Sequence, residues 1–183
     1  MKGFTIIEIL VFIAISAVLS AVAIGYSHTG QNQVALYVEA SKISQFILQA
    51  KELSIATYGE SGVSCAYGVS LDLTNQTYSL FSYLPAGSPP CPAAVGITSI
   101  APSDITQYTQ GTWNVHLLQN IVMKDGGNND SVQYVIFLPP APTTILLDNG
   151  PGLVHKTSYV YLSTADGSAS TVVSVNVAGQ VSF

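Results

Sequence analysis

Arginine is absent from this chain and lysine is scarce: Lys2, Lys42, Lys51, Lys124 and Lys156 are its only strong cations. Against ten acidic residues they leave a net charge of -5 and a pI near 4.8. Binding along a nucleic-acid backbone relies on clustered cations that displace counterions from phosphates, so this composition disfavours a nucleic-acid partner. Charge of either sign is thin. Only 8% of residues are charged, against roughly 25% in ordinary soluble domains, so the polar surface must come from Ser, Thr, Asn, Gln and Gly. Cysteine is limited to Cys65 and Cys91, without CxxC spacing, and His28, His116 and His155 are scattered. That argues against a zinc site, and neither a metal nor any other cofactor is expected. The G-x-S-x-G elbow, the H-E-x-x-H helix and the Gly-rich phosphate loop are missing as well, and with them the commonest signatures of hydrolytic and nucleotide-using enzymes. The chain reads as a non-enzyme.

What it has in plenty is apolar sequence at one end. Phe4 to Ile24 reads FTIIEILVFIAISAVLSAVAI, with Glu8 as its single charge. A helix of that length spans about 30 Å, the thickness of a bilayer's hydrocarbon core. Lys2 precedes the run and no further cation follows until Lys42. The positive-inside rule then puts the N-terminus in the cytoplasm and everything after Gly25 outside. Three readings compete. A secretory signal peptide would use the Ala21-Val22-Ala23 tripeptide as its cleavage site, but it fits poorly with a lone lysine and an acid inside the apolar stretch. A plain single-pass anchor explains the length and leaves Glu8 unexplained. An acid within the membrane costs about 2.5–3.5 kcal/mol even on the lenient insertion scale, so it marks a function and calls for a partner.

The third reading supplies that partner. Lys2-Gly3-Phe4-Thr5-Ile6-Ile7-Glu8, followed by Ile9-Leu10 and an unbroken apolar run, resembles the class III leader of type IV prepilins and type II secretion pseudopilins. The resemblance covers about the first thirty residues. It implies cleavage by a membrane peptidase between Gly3 and Phe4, methylation of the new amine of Phe4, and insertion in the inner membrane before polymerisation with like subunits. Glycine at the cut lets a peptidase approach the backbone closely. The exposed Phe4 amine would then pair with Glu8, in the same chain or on a neighbouring helix, and a buried carboxylate and ammonium strongly favour such pairing. Pairing between neighbours would fix the axial register of otherwise featureless apolar cylinders.

Beyond the membrane run, Ile43, Phe46, Ile47, Ala50 and Leu53 recur at helical spacing between Lys42, Gln45, Gln49, Lys51 and Glu52. This predicts an amphipathic helix and one long helix from about Phe4 to Thr57, weakened at Gly25 and Gly30. Those glycines mark either a hinge or a plain break between anchor and head. From Gly59 onwards, turn residues punctuate β-prone runs. Strands are predicted at Ser64–Leu73, Thr77–Leu84, Trp113–Met123, Val132–Leu138, Thr144–Leu147, Ser158–Ser163, Thr171–Val177 and Gln180–Phe183. Thr74-Asn75-Gln76 and Ala178-Gly179-Gln180 are read as hairpin turns, and the DGGNND stretch from Asp125 to Asp130 as a polar turn unsuited to calcium.

The expected fold is therefore α+β: a leader at 1–3, a transmembrane and polymerisation helix at 4–24, its continuation at 25–58 and an antiparallel β-rich head at 59–183. A long helix packed on such a head is the pilin arrangement. The terminal hairpin TVVSVNVAGQVSF is similar to the end of the H-type minor pseudopilins and their pilus relatives, although Gln180 stands where that family often has arginine. That departure disfavours the DNA binding some of those relatives show.

Cys65 and Cys91, 26 positions apart, are read as one disulfide closing a surface loop in an exported head, contributing about 3–4 kcal/mol; two unrelated buried thiols are the alternative. The tyrosines, among them Tyr67, Tyr78, Tyr83, Tyr108, Tyr134, Tyr159 and Tyr161, are read chiefly as strand packing, with an adhesive face as the other possibility. Trp113 is read as core. The competing function is a membrane-anchored or secreted β-rich adhesin that never polymerises.

Overall fold

A computed structural model describes residues 5–57, 64–85, 97, 100, 104–107, 114–126, 131–140, 143–148 and 156–183, the side chains of 24 and 26–29 excepted. The chain begins with one helix, α1 (Ile6–Ala56), 51 residues long and so about 77 Å from end to end. Thr5 caps it in an extended conformation and Thr57 closes it. The predicted bounds fit within two residues. The expected weakening does not produce a break, because α1 runs without interruption through Gly25 and Gly30. Nothing lies within 4 Å of where a Cβ would stand at either glycine, so neither is required by close packing.

Ten strands follow: β1 (Ala66–Asp72), β2 (Thr77–Tyr83), β3 (Ile105–Gln107), β4 (Asn114–His116), β5 (Ile121–Lys124), β6 (Val132–Leu138), β7 (Thr143–Asp148), β8 (Thr157–Thr164), β9 (Ser170–Asn176) and β10 (Val181–Ser182). One sheet has the order β3-β2-β1-β6-β7, with β4 also on β2; the second has the order β10-β9-β8-β5. Both are antiparallel between their named strands.

Both predicted hairpins form. At the first, the Asp72 carboxylate accepts from the Thr74 and Asn75 amides at 2.9 Å and from Asn75 Nδ2 at 2.7 Å. That geometry frees Gln76 to adopt φ 54, and its side-chain amide then pairs with both Met123 N and Met123 O. Gln76 thereby joins the β1–β2 turn to β5 of the other sheet. At the second, Gly179 holds φ 68, and a Cβ there would stand 2.8 Å from Thr144 Oγ1 and 2.9 Å from Phe137 Cε1. Glycine is needed both for the backbone and for the space.

The strand predicted over Trp113–Met123 divides into β4 and β5, because the Ile121 amide turns back to bond the Leu118 carbonyl at 2.9 Å. β3 was not expected; it is three residues long and is defined by pairing with β2.

The core has two compartments. In the larger one, Leu36, Ala40, Ile43, Ile47 and Ala50 of α1 meet Val69, Leu71, Tyr78, Leu80, Val135, Phe137 and Leu146 from the first sheet and Val160, Leu162, Val173 and Val175 from the second. In the smaller one, the opposite face of the first sheet, with Phe81, Ile136 and Ile145, is covered by Cys65, Ile97, Ile100 and Ile105. Strand alternation explains the division. Odd positions of β1 and even positions of β2 face the helix, and their neighbours face away.

Polar contacts fix the helix at both ends of this contact. Asn32, the first buried residue of α1 among those described, lies 3.5 Å from Ser168 Oγ and 3.4 Å from Asn120 Nδ2. Within the last two turns of the helix, Lys51 Nζ donates to the Ala178 and Gly179 carbonyls at 3.4 Å, and Ser54 Oγ to the Phe137 carbonyl at 2.7 Å.

Candidate functional site

The feature that sets this molecule apart is a long stretch of α1 with nothing packed on it. Ile6–Ala23 is long and apolar enough to cross a membrane, and none of it is buried. Ile6 is 86% exposed and Phe12 73%. Among the described side chains of α1 none is buried before Asn32, and the helix up to that point is about 40 Å long. Leaving so many large apolar side chains in water would cost about 1.5–3 kcal/mol each. Such a surface exists to be covered by lipid or by protein.

Glu8 sits at the tip of this projection. Its Oε2 accepts from the Thr5 amide at 2.9 Å and from Thr5 Oγ1 at 2.8 Å, while Thr5 Oγ1 accepts from the Glu8 amide at 3.4 Å. The two residues form a reciprocal capping box. This corrects one step of the sequence reading: Glu8 does not stand without a partner until a terminal amine appears, because its own first turn supplies two donors. Those donors are neutral, so they stabilise the carboxylate without cancelling its charge. The T-x-x-E spacing before an apolar run is the sequence signature of that cap. Gly3 and Phe4, the expected cleavage and methylation positions, lie outside the described residues.

The apolar surface does not end at the membrane run. Val34, Tyr37, Val38, Leu48 and Ile55 are 43–62% exposed on the side of α1 turned away from the head. At 100° per residue they lie well apart from the buried set Leu36, Ala40, Ile43, Ile47 and Ala50. Farther down, Ala14, Ile15, Val18 and Leu19 outline a shallow, wholly apolar groove.

The remaining candidates separate. Cys65 is buried and not a free thiol; Cys91 lies outside the described residues. Tyr67, Tyr78 and Tyr83 are buried, whereas Tyr134, Tyr159 and Tyr161 are partly exposed; Tyr108 and Trp113 are outside the described set. His116 is exposed on the short strand β4, and His155 is outside the described set. Among the described residues no group of three His, Cys, Asp or Glu side chains could hold a metal.

No family model, curated protein or solved structure matches this chain.

Proposed function

We propose that this chain is a structural subunit of the type IV pilin and type II pseudopilin class. In this reading the precursor inserts through Phe4–Ile24 with its N-terminus cytoplasmic and its head outside. A prepilin peptidase cuts after Gly3 and methylates Phe4, and the exposed helix then passes from lipid into a bundle of like helices in a pilus or pseudopilus. The observation that carries the proposal is an unburied apolar helix tipped by one carboxylate directly after a basic-Gly-aromatic leader. The outward stripe from Val34 to Ile55 supports it, since a lipid anchor alone has no use for apolar side chains beyond the bilayer. A Cys65–Cys91 disulfide belongs to the same reading, as a brace on the exported head.

Glu8→Ala tests the proposal in cells that assemble the filament. The variant should insert and keep a folded head, yet fail to enter filaments or to leave the membrane. Incorporation at the wild-type level would remove the register role assigned to Glu8.

A further inference from the structure

The contact between α1 and the head is mostly apolar along its middle, and among the described residues it buries one charged side chain. Glu39, between Leu36 and Ile43 on the head-facing side, is fully buried. Its Oε1 accepts from Lys42 Nζ at 2.8 Å, and the Lys42 side chain is 42% exposed, so that ammonium still reaches water. Its Oε2 has no hydrogen-bond partner among the described residues, and neither does the hydroxyl of Tyr78 on β2, also fully buried. Phe46 packs edge-on against Tyr78, with ring centroids 4.9 Å apart at 86°. The tyrosine ring therefore lies under the helical turns that carry residues 39 to 46. Burial first, and then the charge and hydrogen-bonding reach of Glu39, push the Tyr78 phenol well above its usual range. The two orphan groups, one a donor and the other an acceptor, lie within electrostatic reach of each other.

A buried ion pair is an expensive way to hold an interface. An apolar side chain of similar volume is often neutral or stabilising there, whereas stranding one member of the pair costs about 3–5 kcal/mol. What a polar pair adds is uniqueness. Ala40, Ile43, Ile47 and Ala50 recur at helical spacing, so a shift of α1 by one turn, about 5.4 Å, would still set apolar side chains against apolar pockets. The same shift would leave Glu39 buried against the wrong strand.

We propose that Glu39 and Tyr78 form a register latch. The tyrosine hydroxyl donates to Oε2, Lys42 holds Oε1, and together they fix where along α1 the head is seated. Glu39 lies 16 residues beyond Ala23, about 24 Å along the helix, so the latch sets the distance between the head and the membrane-length segment. It rests on the helix–head contact alone and holds whether or not the chain polymerises.

The test uses the full chain in detergent, with paired spin labels at Gln33 and Ser170, both exposed. The parent protein should give one interlabel distance. Glu39→Leu should unfold at the same or a higher temperature while its distance broadens or splits by about one helical turn (~5.4 Å). Tyr78→Phe removes one oxygen and should broaden the distance to a lesser degree, with no additional effect in the Glu39→Leu background. A single, unshifted distance in both folded variants would overturn the latch. So would loss of cooperative unfolding in Glu39→Leu, or effects of the two substitutions that simply add.

Discussion

The two halves of α1 share one backbone and differ in what covers them. Between Asn32 and Ala56 the helix carries one buried side, and the head supplies its partners from strands of both sheets. Between Ile6 and Ala23 it is apolar but for Glu8 and two serines, and among the described residues nothing buries it. The docked half belongs to the folding problem, since removing a side chain there leaves a cavity in a core. The bare half belongs to an environment outside the chain. Its exposed apolar side chains call for a covering, because leaving them in water is costly. The difference explains how one element can be both a core component and a membrane-length segment.

Substitutions in the two halves should separate these roles. Ile47→Ala, in the docked half, should cost the head about 2–5 kcal/mol in chemical denaturation, whereas Phe12→Ala should leave that transition in place. Equal effects would erase the distinction. Gly68→Ala comes next: its Cβ would fall 2.6 Å from the Val135 carbonyl and 2.7 Å from Phe81 Cζ. A loss of about 1–3 kcal/mol is expected, as for overpacked cores, read from the same denaturation curve.

Leu48→Ser probes the outward side of the docked half. Head stability should stay within about 0.5 kcal/mol while filament yield falls; an unchanged yield would assign that stripe to no interface.

The smallest effect concerns the β8–β9 turn beside Asn32. Hydrogen bonds from the Thr164 side chain and from the Ser168 amide and hydroxyl lower the Asp166 pKa to about 2, from 3.8. A carboxyl more acidic in the folded than in the unfolded state stabilises the fold above the unfolded pKa. That contribution disappears as pH falls from about 4 through about 2. Asp166→Ala should therefore lower stability slightly at neutral pH and leave it unchanged below about pH 2, so that the acid limb of the stability profile flattens between about 4 and about 2.

Much of this architecture is legible in the residues. The period-3.6 series Ile43, Ile47, Ala50 marks the docked face, and alternating runs such as Thr171–Val177 mark strands, because burial on one face leaves its period in the sequence. Turn chemistry at Asp72–Gln76 and Gly179 is likewise local. What is not legible depends on distant partners. WNVHLLQNIVM reads as one β-prone run, and only tertiary pairing separates β4 on β2 from β5 on β8. Nothing local marks Glu39 for burial, yet it is fully buried within electrostatic reach of Tyr78, 39 residues later. The Thr5–Glu8 cap, by contrast, is legible from its T-x-x-E spacing alone.

The most direct test of the account is the intact mass and N-terminal peptide of the protein from the membrane fraction, with and without reductant. The account predicts a chain that begins at Phe4, carries one added methyl group on its amine, and gains two mass units on reduction. A chain that retains Met1, or one that begins at Ile24 after cleavage behind Ala23, would contradict it and leave an exported β-rich head without a polymerisation helix matured for assembly.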